Sequence, residues 1–170
     1  MNRDRTIALM AAAVAVFAAG TAAIALTAPA GPAGGTARQQ EVAARGRSVM
    51  PFDLDRTTHR FTRSDDGGVQ TVTADDPADA GQIRLIREHL TEEAARFGRG
   101  DFGDPASIHG AQMPGLQELA AGHRRIDVGY AEIPGGARLT YTTAEPALVA
   151  ALHAWFDAQV SDHGGHAEHG

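Results

Sequence analysis

Residues 126–160 read IDVGYAEIPGGARLTYTTAEPALVAALHAWFDAQV. Ile126, Val128 and Tyr130 alternate with polar or small residues, and Leu139 and Tyr141 alternate on the far side of Pro134-Gly135-Gly136. Period-two alternation on either side of a Pro-Gly-Gly turn predicts a β-hairpin. A helix signal follows at once. Pro146 fits a first helical position, and Leu148, Val149, Leu152, Trp155, Phe156 and Val160 recur at helical spacing until Gly164.

The same order occurs upstream. His59–Arg63, the turn Asp65-Asp66-Gly67-Gly68 and the β-branched run Val69-Gln70-Thr71-Val72-Thr73 predict a first hairpin. Asp76 as cap, Pro77 as first helical residue and the stripe Ile83, Ile86, Leu90, Ala94, Phe97 predict a long helix ending at Gly98–Gly100. The expected fold is α+β: a four-stranded antiparallel sheet from two hairpins, each followed by a helix (ββα-ββα), with both helices on one face. The two Gly-Gly turns and the two helix-starting prolines align at nearly the same spacing, which suggests a duplicated ββα unit. Residues 98–114 read as a long loop, followed by a short helix from Gly115 to Ala121.

Ahead of the domain, Arg3 and Arg5 precede an uncharged, mostly apolar run from Ile7 to Leu26, and Ala28-Pro29-Ala30 has the small-x-small form of a cleavage site. Residues 1–30 are expected to act as a signal peptide or an N-terminal membrane anchor, since the run has the length of either. Either way the domain is delivered outside the cytoplasm, periplasmic or secreted, with residues 6–27 its only membrane contact if uncleaved. Residues 31–49 begin Gly/Pro/Ala-rich and are expected to be a flexible linker. Residues 50–164 are expected to form the single domain, and residues 165–170 a disordered tail.

The chain of 170 residues has no cysteine and no lysine. That excludes disulfides, thiolate metal sites, thiol nucleophiles and Schiff-base chemistry. Beyond residue 30 there remain 13 Arg against 20 acids, a charge of −7. An acidic domain without a basic run is not expected to bind nucleic acid. Phosphate-loop, dinucleotide and HExxH signatures are missing. Ser107 near His109 does not specify a triad, and Asp101 and Asp104 have the neighbours of ordinary turn residues. The expectation leans away from an enzyme.

The positive signal is histidine, of which there are eight. His109 and Met113 are four apart in the loop, and His153 and Asp157 are four apart on the last helix, hence on one face. His89 falls beside the apolar stripe of its helix, and His59 precedes the strand it adjoins. These six residues, His59, His89, His109, Met113, His153 and Asp157, are the candidate metal ligands. His163, His166 and His169 form a candidate secondary set in the tail. Imidazole with thioether and no thiolate favours copper, His/Asp alone suits zinc, and His/Met suits a non-covalent haem, there being no CxxCH. The competing reading is a non-catalytic envelope module that binds a partner or small ligand through residues 98–114 and the sheet.

The stretches MPFDLDRTTHRF (50–61), IRLIREHL (83–90), GDFGDPASIHGAQMPG (100–115) and LVAALHAWFDAQVSDHG (148–164) resemble a family of short exported bacterial proteins. Its members are often called aspartate carbamoyltransferase. The resemblance covers about residues 50–164 and includes His59, His89, His109, Met113, His153 and His163, without giving them roles. The family name implies a small transferase. The STRT and HPxQ segments of that enzyme are missing, and the nearest text, Thr62-Arg63-Ser64, falls in a predicted strand instead of at a helix N-terminus.

Overall fold

The computed structural model describes residues 36–170, so the expected signal or anchor segment and the start of the expected linker lie outside the described residues. The fold is α+β. The first hairpin is β1 (Thr57–Ser64) and β2 (Gly67–Ala74), the second β3 (Asp127–Ile133) and β4 (Gly136–Thr142). β2 pairs antiparallel with β4, Gln70 opposite Leu139, so the two hairpins join through their second strands. A short strand, β5 (Ala167–His169), pairs parallel with β1, and the order is β3-β4-β2-β1-β5. The sheet is therefore five-stranded and mixed, one strand more than two hairpins supply.

Alternation buries one face of this sheet. His59 and Phe61 of β1, Gln70 and Val72 of β2, and Leu139 and Tyr141 of β4 point inward, while Thr58, Thr62, Thr71, Thr73, Arg138 and Thr140 line the opposite face. The inward face is covered by α2 (Ala80–Gly98) and α5 (Pro146–His163). Ile86, Leu90 and Phe97 of α2 meet Leu152, Trp155 and Phe156 of α5 in the core. Trp155 stands edge-on to Phe97, Phe102 and Tyr141 at ring distances of 5.9, 6.1 and 5.7 Å. Each buried side chain of this size contributes roughly 2–3 kcal/mol of hydrophobic stabilisation. Gly68 lets α5 approach, because a Cβ there would lie 2.5 Å from the Phe156 ring.

The first long helix starts later than the Asp76-Pro77 text predicts. Asp79 is its N-cap and accepts from the Gln82 amide at 3.0 Å, while Asp76 accepts from the Ala78 amide in a preceding turn. The last helix starts at Pro146 and ends before Gly164, whose φ of 57° reverses the chain.

Two further helices fill places read as linker or loop, and a third is the short helix expected from Gly115. α1 (Ala37–Val49) occupies most of the predicted linker. A capping box starts it: the Gln39 amide donates to Thr36 Oγ1, and the Thr36 amide donates to Gln39 Oε1. α3 (Gly103–His109) lies inside the predicted loop, and α4 (Leu116–Gly122) follows. The tail is likewise ordered, since Ala167 is buried beside His59 and the Gly170 amide donates to the Phe61 carbonyl.

Candidate metal centre

The inward side chain of His59 sits where α1, α2, α3 and α5 all approach the β1 edge of the sheet. His89 comes from the middle of α2, His109 is the last residue of α3, and His163 is the last residue of α5. With Glu93 and Gln159 they line a cavity of about 30 Å³, walled by Phe52, Phe61, Val72 and Leu90. That volume holds an ion or a water or two, and no haem macrocycle.

His163 lies between two partners. Its ring centre is 5.3 Å from that of His59, stacked with the planes 2° apart, and 5.0 Å from that of His109, edge-on at 77°. Phe52 separates His59 from His89, at 6.2 and 5.6 Å. His89 Nε2 stands 3.6 Å from Glu93 Oε1, a buried contact longer than a hydrogen bond. His59 Nδ1, His89 Nε2 and Gln159 Oε1 are buried without a hydrogen-bond partner. Unpaired buried polar atoms cost about 1–3 kcal/mol each, so three around one void call for an explanation.

Burial sets the charge of the cluster. It pushes the His59 ring down to about 4, with neighbouring His89 adding to the shift, and the His163 ring down to about 2, helped by His59 and His109. His109 is also lowered by burial, which outweighs the opposing Asp162 carboxylate. These three rings are neutral at pH 7. His89 behaves oppositely: burial lowers it, but Glu93 outweighs burial and raises it.

His109 Nδ1 lies 2.8 Å from Asp162 Oδ2. Arg38 Nε and Nη2 donate to the two Asp162 oxygens at 3.0 and 2.7 Å, and Nη2 also donates to the His109 carbonyl at 2.6 Å. The first turn of α1 therefore clamps the ends of α3 and α5 together.

The other candidate residues lie elsewhere. Met113 is a core residue that also edges a surface groove shared with Arg38, Asp157 and Asp162, and it does not line the imidazole cavity. His153 Nε2 donates to the Ser64 and Gly67 carbonyls at 3.1 and 2.9 Å. Asp157 is paired with Arg63. His166 and His169 are half-exposed, 3.9 Å from Asp55 and 3.8 Å from Asp157 respectively. Asp101 and Asp104 both hold Arg96. Thr62-Arg63-Ser64 is the end of β1.

No family model, curated protein or solved structure matches this chain. The site therefore has to be read from its own chemistry. Among the described residues no three His, Asp or Glu side chains are already arranged to hold a metal ion. The stacking of His59 on His163 works against a shared ion, because their in-plane lone pairs lie in parallel planes that do not meet. Spacing is another matter. Two imidazoles on one tetrahedral ion have ring centres about 5 Å apart, from metal–nitrogen bonds of about 2.0–2.1 Å and a nitrogen about 1.1 Å from its ring centre. His163 stands at that spacing from both His59 and His109.

Sequence reasoning placed His163 in a tail set and passed over Glu93 and Gln159. The signal was there. Phe156, Gln159 and His163 are spaced i, i+3, i+7, and Ile86, Leu90 and Glu93 are spaced i, i+4, i+7, so each polar residue falls on an inward stripe.

Proposed function

We propose that this protein is an exported, non-catalytic domain that binds one divalent transition-metal ion in its buried histidine pocket, with His59, His109 and His163 as ligands. The observation that carries the reading is the trio itself: three imidazoles, neutral at pH 7, around a void edged by unpartnered polar atoms. Neutral rings need shed no proton to bind a metal. Imidazole is a borderline ligand, and among first-row divalent ions the usual order places Cu²⁺ highest. Copper therefore remains the favoured ion, on imidazole alone and without Met113. Zinc is the alternative for the same donors. Export rests on residues 1–30; among the described residues no helix is long and apolar enough to cross a membrane.

The purified chain, dialysed against Cu²⁺ or Zn²⁺ and then desalted, is expected to retain one equivalent by elemental analysis. His163→Ala is expected to lose it, since His163 neighbours both other ligands, whereas His153→Ala retains it. Equal retention by wild type and His163→Ala rejects the pocket as the site.

A further inference from the structure

Asp162 precedes His163 on the last turn of α5, and its side chain is 12% exposed. Arg38 donates to both of its oxygens, at 3.0 and 2.7 Å, and this two-point ion pair makes Asp162 a carboxylate. An ionised carboxylate only accepts hydrogen bonds, so the His109 nitrogen facing it, Nδ1, must carry the hydrogen. The lone pair of the neutral ring is then on Nε2. The ring is also fixed in orientation, since Arg38 holds both the Asp162 carboxylate and the His109 carbonyl.

We infer that Asp162, held by Arg38, is a positioning residue that locks His109 in the Nδ1–H form and so makes Nε2 its metal-binding atom. The inference rests on the proposed metal site for its consequence, but the tautomer stands independently of it. Carboxylates that hold a ligating histidine through its second nitrogen typically change metal affinity 10- to 100-fold when removed.

The informative substitution is Asp162→Ala, which removes both acceptor oxygens. His109 then has no carboxylate to hold a hydrogen on Nδ1. The unheld ring takes up a mixture of tautomers, and the share with its hydrogen on Nε2 is in the wrong form to bind.

The test is ¹⁵N nuclear magnetic resonance of the histidine rings in the metal-free full chain, paired with Cu²⁺ titration. Wild type is expected to show His109 protonated at Nδ1 and bare at Nε2. Asp162→Ala is expected to populate the Nε2–H form as well and weaken Cu²⁺ binding 10- to 100-fold. A wild-type His109 protonated at Nε2 overturns the inference even if the variant does not fold. So does an Asp162→Ala protein with unchanged tautomer, or one whose tautomer shifts while affinity holds. A wild type with the expected tautomer and no Cu²⁺ binding at all rejects the metal reading and leaves the tautomer assignment standing.

Discussion

Acidification from pH 7 to pH 4 is expected to cost the metal-free protein about 3 kcal/mol of stability through His59 alone, the shift from 6.5 to about 4 being worth 1.36 kcal/mol per unit. At pH 7 the ring is neutral folded and unfolded, so nothing is lost. Below 6.5 the unfolded chain takes up a proton that the folded chain refuses until about pH 4, and stability falls across that window. His163 acts in the same direction over a range reaching lower, and His109 does so as well. His89 opposes them: its folded value is raised, so its contact with Glu93 stabilises below 6.5 and is lost as pH rises through the folded value. Three rings against one give a net acid-labile fold. Small domains have roughly 5–15 kcal/mol in total, so 3 kcal/mol is a large share. Urea unfolding at pH 7, 6, 5 and 4 checks this. His59→Phe should flatten the curve by most of that amount. A stability that is level from pH 7 to 4, or an unchanged slope in His59→Phe, contradicts the buried neutral cluster.

Copper is expected to act in the opposite sense. Free Cu²⁺ at 100 times its Kd stabilises a one-site protein by about 2.7 kcal/mol. For a domain of this size that raises Tm by roughly 10 °C. The gain should disappear with chelator, and it should fade only as pH falls through about 4, where His59 takes up a proton. Calorimetry of the wild type and of a His59→Phe/His109→Ala/His163→Ala variant separates pocket from tail. An equal rise in both places the ion on exposed histidines such as His166 and His169.

The elements legible in the sequence were those with strong local signals. Asp65-Asp66-Gly67-Gly68 and Pro134-Gly135-Gly136 mark both hairpins, and the stripes from Ile86 to Phe97 and from Leu148 to Phe156 mark the two covering helices. α1 escaped notice because only Val42 and Gly46 of its 13 residues are buried, so it has no apolar stripe, and its docking depends on polar clamps such as Arg38 to Asp162. α3 has seven residues between glycines, too short for a periodic pattern. β5 has three residues paired across more than 100 positions of sequence, a contact that no local pattern encodes.

The site was half legible for the same reason. His59, His89 and His109 fall on inward positions and line one cavity, while His153 and Met113 satisfied their spacing rules and lie elsewhere. An i,i+4 spacing fixes a shared helix face; it does not say which face meets the pocket. His163 closes the helix that Gly164 ends, and its nearness in sequence to His166 and His169 hides that it lines the cavity.

Electron paramagnetic resonance of the Cu²⁺-loaded chain, with His166→Ala and His169→Ala introduced to silence the exposed tail rings, tests the pocket most directly. Spin-echo modulation from three bound imidazoles at pH 7, reduced when His109→Ala is added, is the result expected. A spectrum without imidazole modulation, or one that loss of His59, His109 and His163 leaves unchanged, would show that the buried rings do not hold the ion.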